Sequence, residues 1–157
     1  MTARNCPQCR GGTEPMVVDT AAGEAKALEI AIHGMPVLVC PKGHRQFAQR
    51  DFPRWLLDSL LKEEEAKLPA GKETGLIFKH FHCGACGAEL ESESAHRHTY
   101  AVDVSLENTA PIKVELTMPV YRCPSCEKEQ IHSLNEVRKQ TPEALAHAFQ
   151  AANIPPA

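Results

Sequence analysis

All seven cysteines of this chain fall in four short clusters: Cys6-Pro-Gln-Cys9, Cys40-Pro-Lys-Gly-His44, Cys83-Gly-Ala-Cys86 and Cys123-Pro-Ser-Cys126. Two thiolates three positions apart on a tight turn can face one ion while amides of that turn donate to the sulfurs. Two such turns make a tetrahedral ligand set, and the chemistry this implies is zinc binding. Proline after the first cysteine fixes φ and stiffens three of the four turns.

The pairs combine into two sites. Thirty residues separate Cys9 from Cys40 and thirty-six separate Cys86 from Cys123. The second set, Cys83, Cys86, Cys123 and Cys126, is four thiolates. The first offers Cys6, Cys9 and Cys40, with Gly43 where the pattern of the second set places Cys126. His44, whose imidazole reaches further than a thiolate, is the expected fourth ligand, and His33 is a spare candidate. Iron in a rubredoxin-like site would use the same knuckles, and ligand type alone does not separate it from zinc. A disulfide framework fits less well, because the count is odd and no apolar signal segment opens the chain, so a reducing cytoplasm is expected.

The segments between the pairs must position them. Leu28, Ile30 and Ile32 alternate with Glu29 and Ala31, and Ile112, Val114 and Leu116 alternate with Lys113 and Glu115, the period of strands with one buried face. Met35-Pro-Val37 precedes the second knuckle of the first half as Met118-Pro-Val120 does in the second, with Gly34 as an insertion, so the chain reads as an internal repeat. Proline within these runs predicts an edge strand or a bulge. Tyr100 to Leu116 reads as a hairpin turning at Glu107 to Pro111. Met16 to Asp19, followed by Ala21 to Glu24, is the fainter equivalent.

A helix is expected after each second knuckle. Asp51 caps one with Phe52, Trp55, Leu56 and Leu60 on one face. Ser133-Leu-Asn-Glu136 has capping-box form, and Thr141-Pro142 starts a further helix with Ala144, Leu145, Ala148 and Phe149 as its stripe. The fold class is therefore a small, metal-stapled α+β protein of two zinc-ribbon-like β-hairpin units, each followed by a helix. Residues 1–68 and 79–157 form the units and 69–78 the linker, with Glu63, Glu64 and Glu65 on a solvated face. Units this short have marginal cores, and removing the metal should unfold one.

Charge bears on partners. Residues 1–70 carry nine Lys/Arg and nine Asp/Glu, and the remainder carries eight and eleven, so neither half has the basic excess of a general nucleic-acid binder. A local rim of Lys42, His44, Arg45, Arg50 and Arg54, interleaved with Phe47 and Phe52, is the one feature that would suit nucleic acid. His80, His82, His96 and His98 are expected at exposed strand or loop positions. No apolar run reaches the roughly eighteen residues of a membrane span. No nucleophile elbow, phosphate loop or HExxH is present, and an enzyme is not expected.

The first half, with Cys6 to Cys9, a hairpin, Met35-Pro-Val37, Cys40 to His44 and a trailing helix, resembles the bacterial YgiT-type zinc-finger family, the metal-binding half of certain antitoxins. The second half is similar in layout. Family members carry four cysteines, so Gly43 and His44 depart from the pattern, and their helix-turn-helix has no counterpart here. The resemblance implies a structural zinc module that binds another protein. A nucleic-acid-associated regulator and a thiol switch that releases zinc on oxidation are the alternatives.

Overall fold

The computed structural model describes residues 4–105 and 110–155 and is a mixed α+β protein. Strands β1 (Glu14–Ala25) and β2 (Leu28–Val39) form a long antiparallel hairpin, and β6 (His96–Val104) with β7 (Ile112–Arg122) form another. Short strands β3 (Arg45–Phe47) and β8 (Glu129–Gln130) fold back beside β2 and β7. A separate two-stranded ribbon joins β4 (Lys72–Thr74) to β5 (His80–His82). Helix α1 spans Phe52–Ser59 and α2 spans Leu134–Ala151.

The two long hairpins are edges of one sheet. Strands β2 and β7 pair antiparallel from Glu29↔Thr117 to His33↔Lys113, giving the order β1-β2-β7-β6. Because the central strands run in opposite directions, Cys40 after β2 and Cys123 after β7 leave the sheet at opposite ends. Pro36 and Pro119 lie in central strands, not in edge strands. Each faces a gap: β7 covers β2 only up to His33 and β3 begins at Val37, while β2 covers β7 only up to Thr117 and β8 begins at Tyr121. No ladder donor is required there, which is why a residue without an N–H is tolerated.

One core serves both halves. Ala21, Leu28, Ile30, Ile32 and Val37 from the first hairpin and Ile112, Val114, Leu116 and Val120 from the second belong to one continuous buried cluster with Phe52, Leu56, Leu60, Leu145 and Ala148. Helix α2, which follows the second knuckle pair, lies across β1 and β2 of the first hairpin. The approach is close: a Cβ at Gly23 would stand 2.2 Å from the Ala148 nitrogen. The chain after α1 continues as a π-helical turn, Leu60–Glu64, which reaches β6. Most of the buried apolar side chains are therefore shared between the halves, where separate marginal cores were expected from length.

Several local expectations are corrected. Thr141-Pro142 does not start a helix; Pro142 lies inside a single α2, whose N-cap is Ser133, with its hydroxyl accepting the Glu136 amide at 3.3 Å. Asp51 occupies the N-cap position of α1, but its side chain makes no capping bond. Strand β1 runs unbroken through Ala21 to Glu24 and turns at Lys26, which holds φ of 53°. Residues 69–78, read as linker, contain β4, whereas His96 and His98 lie at exposed positions of β6, in keeping with the exposed strand or loop positions expected of them. Glu65 is fully buried, and not on a solvated face with its neighbours. The turn expected at Glu107 to Pro111 falls largely on residues 106–109, outside the described residues.

Candidate metal centres

The knuckles close by backbone hydrogen bonds that the local sequence explains. In the Cys6, Cys83 and Cys123 turns, the amide four residues on donates to the cysteine carbonyl: Arg10 to Cys6 at 2.7 Å, Gly87 to Cys83 at 2.9 Å and Glu127 to Cys123 at 2.9 Å. Those fourth residues all have positive φ, 63° at Arg10, 82° at Gly87 and 67° at Glu127. Glycine adopts that conformation freely, while arginine and glutamate do so at a cost of about 1–2 kcal/mol. Each cysteine amide then returns to a carbonyl five residues ahead, that of Gly11, Ala88 or Lys128.

The Cys40 turn is one residue shorter. Gly43, with φ of 85°, donates to Cys40 after three residues at 2.9 Å, and the Cys40 amide returns to His44 after four. By conformation Gly43 matches Glu127, and the position of Cys126 is the one missing. His44 sits one place further out, where Lys128 sits in the second set. Its longer side chain spans the difference and brings Nδ1 to 3.5 Å from Cys6 Sγ.

Both predicted ligand sets converge. In Cys6, Cys9, Cys40 and His44, and in Cys83, Cys86, Cys123 and Cys126, one ligand atom from each residue lies within 4.8 Å of the others. Sulfurs of opposite knuckles lie 3.7 Å apart at Cys9 and Cys40, 3.6 Å at Cys83 and Cys126, and 3.4 Å at Cys86 and Cys123. A tetrahedral ion bound at thiolate distances of about 2.3 Å requires sulfur edges of about 3.8 Å and sulfur–nitrogen edges of about 3.6 Å. A disulfide requires about 2.05 Å. The observed spacing fits an ion held between free thiols, and both clusters can hold one. His33 joins neither: it lies between Thr20 at 3.1 Å and Glu115 at 2.5 Å on the open sheet face.

The surroundings favour the thiolate at Cys40, Cys83 and Cys123 and oppose it at Cys9 and Cys126. The Cys86 amide, with help from the Gln130 side chain, pulls the Cys83 thiol down to about 6. Cys123 is lowered by the Cys126 amide and then that of Ser125. Cys126 is pushed up to about 11: the Lys128 amide opposes the rise, but desolvation and the neighbouring thiols outweigh it. At Cys40, desolvation is overcome by the amides of His44 and Lys42 and the thiol is lowered. One negative charge is thus placed readily and the next resisted, as expected where sulfurs crowd together without a cation between them.

Gln130 is a residue that knuckle spacing did not indicate. Buried on β8, it donates from Nε2 to Cys83 Sγ at 3.1 Å and accepts the Gly84 amide on Oε1 at 2.8 Å. The second cluster also has a small core of its own, Leu90 with Phe81 and Tyr121, where His132 stacks between the two rings at 4.1 and 3.2 Å. The first cluster is tied to α2 instead. Arg45 donates to the Ala152 carbonyl at 2.9 Å, and Phe47 meets Phe149 edge-on at 4.9 Å.

These contacts account for part of the basic rim. Lys42, Arg50 and Arg54 are exposed, but Arg45 is engaged with the helix end, and Phe47 and Phe52 are core residues and not stacking platforms. Among the described residues, no helix is long and apolar enough to cross a membrane. Compared with family models, curated proteins and solved structures, the chain matches none of them.

Proposed function

We infer that the chain is a zinc-binding protein whose two clusters are structural sites in tandem ribbons, and that the assembled unit serves as a protein-interaction module of the cytoplasm. The observation that carries the metal reading is the convergence of three thiols and one imidazole, and separately of four thiols, within 4.8 Å, with the facing ligand atoms of opposite knuckles 3.4 to 3.7 Å apart, near a tetrahedral edge. Both sets are structural zinc sets, and four protein ligands leave no open position for a substrate or reactive water, which favours a structural over a catalytic role. The likeness to the YgiT-type family supports the same reading.

A partner role is favoured by Leu76, Ile77 and Phe78, three consecutive apolar residues at the turn between β4 and β5 that are 100%, 87% and 79% exposed. Exposed apolar groups of this size mark interaction sites. Elemental analysis of the purified chain tests the metal reading: two zinc ions in the parent, one in Cys83→Ser and one in His44→Ala. Absence of metal from the parent, or both variants keeping two ions, defeats it. For the partner role, a Leu76→Ser, Ile77→Ser, Phe78→Ser variant should lose a protein captured by the parent while melting at the same temperature.

A further inference from the structure

The two clusters differ in how far their cysteine residues are exposed. In the first, Cys6 and Cys40 are buried, Cys9 is half-buried and the fourth ligand is an imidazole. In the second, Cys83 and Cys123 are buried, but Cys86 and Cys126 are exposed. The sulfur of each exposed cysteine lies against that of a buried one from the opposite knuckle, Cys86 at 3.4 Å from Cys123 and Cys126 at 3.6 Å from Cys83. A metal keeps its thiols deprotonated, and a thiolate open to solvent is the form that peroxide oxidises.

We propose that the second cluster is a peroxide-responsive modification site, in which hydrogen peroxide oxidises Cys86 and Cys126 and drives metal release while the first cluster keeps its ion. This rests on the zinc-binding reading above. An exposed thiolate attacks one peroxide oxygen; the S–O bond forms, the O–O bond breaks, and hydroxide leaves with the electron pair. The buried thiolate facing it then attacks the sulfenic sulfur, forming the S–S bond and expelling a second hydroxide. Two thiolates give up two electrons and one peroxide accepts them. Closing from 3.4 Å to the disulfide length of about 2.05 Å is a small movement for Cys86 and Cys123. A second peroxide joins Cys83 to Cys126, and the ion, stripped of its ligands, passes to solvent. The products, Cys86–Cys123 and Cys83–Cys126, link the same two knuckles that the metal joined, so a thiol reductant and fresh zinc should reverse the change.

The experiment uses the full chain, with its metal content fixed by elemental analysis before hydrogen peroxide is added. Release is followed with a chromogenic chelator, and disulfides are mapped by mass spectrometry after alkylation. The first equivalent of zinc should leave about tenfold faster than the second, following thiolate exposure. At that point Cys86–Cys123 and Cys83–Cys126 should be oxidised, with Cys6, Cys9 and Cys40 alkylated as thiols. Two equivalents leaving at one rate, loss from the first cluster ahead of the second, or disulfides confined to Cys83–Cys86 and Cys123–Cys126 would overturn this proposal and leave the zinc reading intact. A chain without metal before peroxide overturns both.

Discussion

Gln130 holds the second knuckle pair together through Cys83: its side-chain amide donates to the Cys83 sulfur at 3.1 Å while its carbonyl oxygen receives the Gly84 amide at 2.8 Å. One side chain on β8 thereby orients the Cys83 turn from the strand that follows Cys126. Removing it with Gln130→Ala should weaken metal retention at the second cluster by about 10–100-fold, the usual effect of losing a group that orients a ligand. Gln130→Glu should weaken it further, because a carboxylate would face a thiolate. Competition with a chelator of known affinity should show one of two metal equivalents changed in each variant and the other unaltered.

The short Cys40 turn makes a prediction about His44. A thiolate placed at position 44 starts from the same backbone but reaches less far than the imidazole, so His44→Cys should lower the affinity of the first cluster despite giving it four cysteines. Inserting a cysteine between Lys42 and Gly43 rebuilds the Cys-x-x-Cys-Gly order seen at Cys83 to Gly87. That insertion, combined with His44→Ala, should restore binding. Chelator competition on the two chains distinguishes a reach argument from a simple count of thiols: if His44→Cys binds as tightly as the parent, reach is not the reason for the histidine.

Glu65 is buried against α2, where the Thr141 hydroxyl lies 2.8 and 2.9 Å from its two oxygens and 2.8 Å from the Val137 carbonyl. A hydroxyl has one proton; when it serves Val137, the contact with Glu65 needs the carboxyl proton. Burial pushes the Glu65 carboxyl above its ordinary value, although Thr141 and then Arg138 act in the other direction. An acid whose folded value is raised contributes stability that is complete below its unfolded value and is lost as pH rises through the folded one. Glu65→Gln, neutral throughout, should therefore melt above the parent at neutral pH, and the difference should shrink to nothing below about pH 4. Thermal melts across that range read the sign directly.

Because the core spans both hairpins, metal loss should be a local event. Chelation should lower the thermal midpoint and disorder the knuckles, yet the sheet and α2 should persist and unfold cooperatively on further heating. Far-ultraviolet circular dichroism with amide exchange tests this: protection retained at Ile30, Ile32, Val114 and Leu116 while it is lost at Arg10 and Gly87, whose amides close the knuckles, is the expected pattern. Collapse of all protection on chelation would mean that the ions and not the shared core hold the fold.

The candidate ligands were legible because their signal is local. Spacing of three within a turn and a thiol or imidazole at the end of it identify Cys6, Cys9, Cys40, His44, Cys83, Cys86, Cys123 and Cys126 without reference to distant residues. Alternation in Leu28 to Ile32 and Ile112 to Leu116 likewise marked β2 and β7. Gln130 carried no such mark. An isolated glutamine past the last cysteine gains its role only when β8 pairs beside β7 and carries it under Gly84. Glu65 was misplaced for a related reason, since three glutamates in a row resemble a solvated face until Thr141 of α2 is packed upon one of them.

The amino-acid order alone determined which atoms can grip a cation and which strands have a buried face, since turn conformation and side-chain alternation are set by residues close together in the chain. Tertiary structure decided that the hairpins meet at β2 and β7, that α2 crosses to the first hairpin, and that Pro36 and Pro119 fall where no neighbour needs an N–H. Those choices depend on pairing and packing between residues more than eighty positions apart, as in Glu29 with Thr117. Apolar alternation states that a face must be covered, and only the folded chain selects which segment covers it.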